Sequence, residues 1–129
     1  MKFIFKIMLA AAVMFMMTPI CQAENFKFVD AVDKTGYYVD IDSVQVETSS
    51  TLVTTIAVVK AQMNKMYVYH IRVNHGNQSY QILNSKILDY ETREVLESND
   101  KARPYRPYSA KSEMSEVVDF ILHGGEMTN

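Results

Sequence analysis

Hydrophobic and polar residues alternate most regularly in the middle of the chain, over two runs separated by a short break. The first run, Thr51–Lys60, is dense in valine, isoleucine and threonine, which favour β-strands. In the second run, Lys65–Asn74, every other residue is apolar or aromatic: Tyr67, Tyr69, Ile71 and Val73. Such alternation is typical of a strand with one face on a core and the other in water. Because the break at residues 61–64 is short, the two runs are predicted to pair as antiparallel neighbours.

Shorter alternating runs on both sides predict further strands. Three candidates precede the central pair and two follow it, at residues 26–29, 37–41, 44–47, 80–90 and 95–98. Turn-forming residues separate them, including Asp42 and Ser43, whose side-chain oxygens are expected to end the second candidate. The alternation in the run 80–90 slips around Asn84 and Ser85, which predicts a β-bulge. The pattern therefore favours a mostly antiparallel β domain.

One amphipathic helix is predicted near the C-terminus, over residues 112–122. Apolar residues recur there at helical spacing: Met114, Val117, Val118, Ile121 and Leu122. Ser112 is a suitable N-cap, and Glu113 and Glu116 lie near the positive end of the helix dipole. Gly124 and its neighbouring glycine predict the end of the helix. We expect the apolar stripe to pack on the sheet, which gives an α+β fold.

The N-terminal segment, residues 1–23, has the three parts of a secretory signal peptide. Lys2 and Lys6 precede an apolar stretch at residues 7–17, which is too short to span a bilayer, and Ala23 is the predicted cleavage site. The expected product is one domain, residues 24–129, with no membrane span, exported to the periplasm or to the cell surface and extracellular space. Cys21 leaves lipidation open as an alternative.

Charge and cysteine content exclude several classes of function. Cleavage would remove two of the 13 basic residues and none of the 15 acidic ones, which leaves a negative chain. Such a chain is a poor candidate for nucleic-acid binding, because affinity there rests on phosphate neutralisation. Cys21 is the only cysteine, so the exported domain would form no intramolecular disulfide and have no thiol nucleophile or metal-bound thiolate.

Recognisable catalytic or cofactor motifs are absent from the sequence. It has no nucleophile elbow, no metal-binding histidine pair and no glycine-rich phosphate loop. His70, His75 and His123 are far apart along the chain. We therefore predict no catalytic residue, no metal site and no cofactor, and a protein that is not an enzyme. A small secreted hydrolase, with a site assembled from distant residues, is the weaker alternative.

The most unusual segment, residues 101–108, contains an Arg-Pro-Tyr triplet that is repeated at once. Its two prolines favour an extended conformation and exclude a central strand. Arginine and tyrosine are typical of binding hot spots, so a protein-binding surface is predicted at Arg103, Tyr105, Arg106 and Tyr108. The other interpretation is an extended connector whose tyrosines cover the sheet edge. An exposed edge beside it could also pair with a second copy in a homodimer.

The order of these features resembles the bacterial surface-adhesin protein E-like family. The similarity covers most of residues 26–122 and rests on an aromatic first strand, the stretch 36–44, the hairpin 90–96, the segment 107–109 and the final helix. It implies a single antiparallel sheet of about six strands with the C-terminal helix across one face. It also implies an exported, non-enzymatic binding protein, a bacterial adhesin recognising host proteins or cell-surface macromolecules. A structural cell-envelope protein without an external ligand is the alternative.

The chain departs from the family pattern in two respects. Well-studied members carry a disulfide that ties the helix to the sheet, and the single cysteine here excludes such a bond. Members often place a tryptophan in the first strand, whereas this chain has none and offers Phe26 or Phe28 instead. The helix would therefore be held on the sheet by packing alone.

Overall fold

The structure of the protein, a computed structural model, describes residues 25–124. The predicted signal peptide, Cys21 and the residues after Gly124 lie outside this range. The described residues form one antiparallel sheet and a single C-terminal helix, which confirms the predicted α+β class. The helix is too short to cross a membrane, and the residues described include no other candidate span.

Six strands follow one another across the sheet in chain order, each antiparallel to the next. They are β1 (Phe26–Val32), β2 (Thr35–Val46), β3 (Thr51–Lys60), β4 (Lys65–Asn74), β5 (Ser79–Asp89) and β6 (Val95–Asn99). A two-residue strand, β7 (Arg106–Pro107), pairs with β5 beside β6, and the helix α1 (Glu113–Leu122) is the last element of the described chain. The predicted pairing of β3 with β4 is confirmed, with Thr51 opposite Asn74 and Lys60 opposite Lys65.

The hairpin between β1 and β2 is tighter than the sequence predicted. Asp33 and Lys34 alone form the turn, and both have positive φ angles, 49° and 67°. Positive φ at both central residues is the geometry of a two-residue turn that matches the twist of the flanking strands. The predicted strands 26–29 and 37–41 leave a longer turn between them, and this prediction is wrong, because both strands extend to Asp33 and Lys34.

β2 is a single strand, so the predicted strand end at Asp42 and Ser43 is also wrong. The register with β3 shifts between Asp40 and Gln45, which places a bulge there. The Asp40 carboxylate accepts from the backbone N–H of Asp42 at 3.1 Å, and the Ser43 hydroxyl donates to the Asp40 carbonyl at 2.7 Å. The Ser43 oxygen also accepts from the backbone N–H of Thr55 at 2.8 Å. Side-chain oxygens thus stabilise the bulge rather than end the strand.

The predicted bulge in β5 is confirmed. His70 of β4 lies opposite Asn84, whereas Ile71 lies opposite Ile82, so Leu83 is the additional residue. A bulge of this kind restores the alternation of faces after one extra residue. As a result, side chains from both halves of β5 reach the helix side of the sheet.

Apolar side chains are buried on both faces of the sheet. One cluster packs under α1: Val29, Val39, Leu52, Ile56, Ile71, Val73, Val117, Val118, Phe120 and Ile121. A second cluster, on the other face near the turn between β3 and β4, is formed by Ala57, Val59, Met66, Val68 and Leu88. The prediction of one core face holds for the half of β4 that contains Ile71 and Val73. It fails for the half that contains Met66 and Val68.

The helix begins and packs as predicted, with its buried stripe slightly rotated. The Ser112 side chain accepts from the backbone N–H of Ser115, which confirms the N-cap. Val117, Val118 and Ile121 are buried, but Leu122 is 50% exposed. Phe120, which the predicted stripe left out, is buried instead, because it lies on the flank of the stripe opposite Leu122.

Candidate functional site

A single helix cannot cover this sheet. An α-helix with its side chains is about 10 Å wide, whereas six strands spaced about 4.8 Å apart span more than 20 Å. The backbone of α1 lies over β1 and β2. On the same face of β4 and β5, Tyr69, Tyr80 and Ile82 are therefore only partly buried. This uncovered part of the helix-side face contains the candidate site.

The first part of the site is a cavity of about 290 Å³ between the N-terminal turns of α1 and the sheet. Its walls are mostly apolar and aromatic, with Ile56 and Ile71 from the sheet and Met114 and Val117 from the helix. Tyr37 of β2 closes one side. We call this the inner part.

The second part is a cavity of about 320 Å³ that continues along β4 and β5 away from the helix. It is lined by Tyr67, Ser85 and Arg103, among others. Three residues line both cavities: Tyr69, Ile82 and Arg106. The two parts therefore join into one depression, which we call the trough, and the second cavity is its outer part.

The segment before α1 forms one wall of the trough because it runs along the edge of β5. The backbone N–H of Arg103 donates to the Ile82 carbonyl at 2.8 Å, and that of Tyr108 donates to the Gln78 carbonyl at 2.9 Å. Between these bonds, β7 pairs with the start of β5. The segment thus covers the edge, as the connector interpretation expects, and its backbone is held in place.

The four residues of the predicted binding surface do not all lie on one side of the sheet. Arg103 and Arg106 line the trough. Tyr108 is half-buried and packs on the core beside Tyr80, with 6.5 Å between the ring centroids. Tyr105 is 48% exposed and contacts a residue of the opposite face. The structure therefore brings the two arginines together and separates the tyrosines from each other.

Tyr105 belongs to a polar group on the opposite face, centred on Arg72. The Arg72 guanidinium donates to both carboxylate oxygens of Glu47, at 2.7 and 3.1 Å, and to the Gln81 side chain at 3.3 Å. The hydrogen bond from Arg72 lowers the pKa of Glu47, and Tyr105 lies beside the same guanidinium. The Arg72 guanidinium therefore already has hydrogen-bond partners within the protein.

The outer part of the trough is cationic. Arg103 donates from Nη2 to the Ser85 hydroxyl oxygen at 2.8 Å, so its guanidinium is fixed at the wall. Arg106 lies opposite Tyr80 in register and therefore on the same face. Lys60, at the end of β3, places its Nζ 5.7 Å from the centroid of the Tyr67 ring. Arg103, Arg106 and Lys86 thus line the outer part, and Lys60 lies over the ring of Tyr67, which lines it too.

Ion pairing does not neutralise these cations within the described structure. Among residues 25–124, the only salt bridge is the one between Arg72 and Glu47. Arg103 and Arg106 have no carboxylate partner within that range. Since the whole chain carries a formal charge of −2, this positive site is set in an acidic protein.

Acidic groups lie at the other end of the trough. Burial raises the pKa of Tyr37, and the neighbouring carboxylates of Glu113 and Asp30 raise it further. Burial also raises the pKa of Tyr69, although the charge of Arg103 acts in the opposite direction. Both phenols are therefore neutral hydrogen-bond donors at physiological pH. Glu113 lines the inner part, whereas Arg103 lines the outer part.

Sequence reasoning missed the aromatic walls of the trough. Tyr69 was predicted as part of a continuous core face, and Tyr37 and Tyr80 were predicted only as strand residues. A signal was present, because tyrosines carry a polar group and favour half-exposed positions over complete burial. Successive side chains of an extended chain point to opposite sides. The sequence could therefore also have predicted that Tyr105 and Arg106 lie on different faces.

Groups that could support metal chemistry are dispersed in the part of the chain that the structure describes. No group of three histidine, cysteine, aspartate or glutamate side chains there could hold a metal ion. His70 lies 3.3 Å from the Thr55 hydroxyl on the sheet, and the His123 ring contacts the Asp119 carbonyl at the end of α1.

Comparison of the chain with protein-family models, curated proteins and solved structures finds no match. The resemblance to the surface-adhesin protein E-like family therefore stays a prediction. Any function assigned to the chain rests on its own contacts, charges and cavities.

Proposed function

We propose that the protein is an exported, non-enzymatic binding module that recognises a protein or a cell-surface macromolecule, as a bacterial surface adhesin does. The observation that carries this proposal is the pair of arginines, Arg103 and Arg106, on the wall of a tyrosine-lined trough, where neither forms an ion pair within residues 25–124. A partner with carboxylate or phosphate groups would complete their hydrogen bonds.

The wall that carries these arginines is ordered before any partner binds. Backbone hydrogen bonds at Arg103 and Tyr108 fix the segment to β5, and two prolines restrict it further. A preordered surface loses little conformational entropy on association, so more of the contact energy appears as affinity. Arginine and tyrosine are also the residue types that dominate binding hot spots.

The chemistry of the trough supports binding over catalysis. Burial raises the pKa of Tyr69, which makes its phenolate a rare species at neutral pH. The Ser85 hydroxyl is engaged by Arg103, a cation that cannot act as a base toward it. These groups can orient a ligand through hydrogen bonds and charge without reacting with it.

A comparative pull-down tests the binding surface. Arg103→Gln combined with Arg106→Gln should abolish capture of a partner from host-matrix and envelope fractions, with the partner identified by mass spectrometry. Arg93→Gln is the matched control, because Arg93 stacks on Tyr90 at a separate turn, 4.7 Å from the ring centroid. Tyr108 is left unchanged because it packs on the core.

Equal capture by the double variant and the control would remove these arginines from any binding role. Capture of nothing by the wild-type protein would favour the alternative, a structural envelope component without an external ligand. All proteins in the comparison are purified from cells that express the full-length sequence, and equal melting temperatures confirm equal folding.

Export is the second part of the proposal and rests on the N-terminal sequence. Mass spectrometry of the protein recovered from its native envelope should give a mass that begins at Glu24. A diacylated Cys21 as the first residue would instead place the protein on a membrane anchor.

A homodimer is compatible with the open edge of the sheet. Every residue of β6 (Val95–Asn99) is exposed, including Val95 at 52% and Leu96 at 44%. An edge strand of this kind can pair with a second copy through its free backbone groups. Light scattering after size exclusion should show twice the monomer mass for the wild-type protein. The Leu96→Lys variant should show the mass of a single monomer.

A further inference from the structure

The inner part of the trough resembles a receptor for an apolar chain. Its walls combine Ile56, Ile71, Met114 and Val117, and a volume of about 290 Å³ is close to the lower limit of small-molecule sites. Met114 lies at its edge, and methionine adapts its shape to irregular apolar ligands. A ligand that enters this space must carry an apolar group.

A peptide is a poor occupant of the same space. The adjoining edge of β5 already accepts the backbone of Arg103 and Tyr108, so it cannot pair with a further strand there. The floor of the trough is a sheet face, which presents side chains and not backbone groups. A peptide would therefore bury amide groups without partners, at a cost in free energy. An acyl chain has no such groups.

The charges along the trough fix both the sign of the ligand and its orientation. Arg103 and Arg106 line the outer part and Lys60 lies over the ring of Tyr67 there, whereas Glu113 lines the inner part. Arg106 lines both cavities. If the head group of a ligand is held at Arg106, the apolar chain attached to it can therefore extend directly into the inner part. An anionic head would be attracted to the outer part and repelled from the inner end.

We propose that the trough binds a medium-chain fatty acid, with the acyl chain in the inner part and the carboxylate on Arg103 and Arg106. The carboxylate would accept charge-assisted hydrogen bonds from the guanidinium groups. The phenol of Tyr69, which burial keeps neutral, would lie where the chain meets the head. This site goes beyond the macromolecular binding proposed above and shares only the arginines with it.

Calorimetric titration with dodecanoate below its micellar concentration tests the proposal. Wild-type protein, purified from cells that express the full-length sequence, should bind one dodecanoate per chain. Butyrate, which has the same head group, should bind at least roughly tenfold more weakly, because it leaves the inner part empty. A cationic amphiphile with the same chain, dodecyltrimethylammonium, should not bind.

Protein variants test the head-group contacts. Arg103→Gln with Arg106→Gln should weaken dodecanoate binding by roughly tenfold or more, whereas Arg93→Gln should leave it unchanged. Methyl signals of Ile82 and Met114 should shift on titration. Equal affinity for butyrate, binding of the cationic amphiphile, or an unaffected double variant would each overturn the fatty-acid site.

The outcomes for the two proposals can be separated. Arginine-dependent capture of a macromolecule without dodecanoate binding would overturn this inference alone. Dodecanoate binding without any macromolecular partner would overturn the proposed function and support the fatty-acid site. A second copy as the occupant would appear as a dimer that persists in the Leu96→Lys variant and prevents dodecanoate from binding, which also contradicts the inference.

Discussion

The attachment of α1 to the sheet can be tested by shortening one buried side chain, with Ile121→Ala. Ile121 is only 8% exposed and belongs to the cluster under the helix. The single cysteine excludes a disulfide to the helix, so its position depends on the packing of side chains such as Val117, Val118 and Phe120. Removal of Ile121 atoms should therefore weaken the whole domain.

The structure indicates the size of this effect. Truncation of a buried isoleucine to alanine costs about 2–5 kcal/mol, depending on how well the site can relax. Ile121 also borders an existing cavity of about 270 Å³ with Ile41 and Val44, so it has fewer packed neighbours on that side. We therefore expect the lower part of the range, about 2–3 kcal/mol. For a domain of this size, that corresponds to a melting temperature lower by roughly 10 °C or more.

Thermal unfolding followed by circular dichroism measures the change. Leu122→Ala is the matched control, because Leu122 is the next residue of the same helix and 50% exposed. Its melting temperature should fall by no more than about 4 °C, as expected for an exposed position. Equal losses for the two variants would refute the packing of α1 through the stripe that contains Ile121.

Two further substitutions test local features of the fold. A hydrogen bond with Asp30 raises the pKa of Glu116 above its usual 4.5, and the same bond lowers the pKa of Asp30. The bond needs a proton on Glu116, shared with ionised Asp30, so its contribution to stability is lost as the pH rises through the raised pKa of Glu116. Glu116→Gln should remove this loss in urea titrations. Unchanged pH dependence would contradict the shared proton. Gly124 has a φ of +68° and open space around it, so Gly124→Ala should cost about 1 kcal/mol in the same titrations, from backbone strain alone. No loss in that variant would exclude this strain.

Most of the sheet could be predicted because its strands alternate clearly and its turns are polar. The exceptions have local causes. Asp33 and Lys34 form a two-residue turn with positive φ at both positions. Because neither residue is glycine, the sequence carries no clear signal for such a short turn. The side chains of Asp42 and Ser43 favour turns, but the same hydrogen bonds stabilise a bulge inside β2.

The candidate site could be predicted only in part. The repeated triplet drew attention to Arg103 and Arg106, since it is visible in the sequence alone. The trough depends on where α1 lies across the sheet, and no local pattern specifies that the helix covers β1 and β2 and leaves β5 open. Tyr108 could not be assigned to the core without knowing that Tyr80 lies beside it.

The most direct test of the binding site is to observe the arginine side chains while a captured partner is added. The chain has four arginines, Arg72, Arg93, Arg103 and Arg106, so their Nε–H signals can be followed separately by nuclear magnetic resonance. Binding at the trough predicts that the signals of Arg103 and Arg106 shift while those of Arg72 and Arg93 stay in place. Shifts at Arg72 or Arg93 alone would contradict binding at the trough.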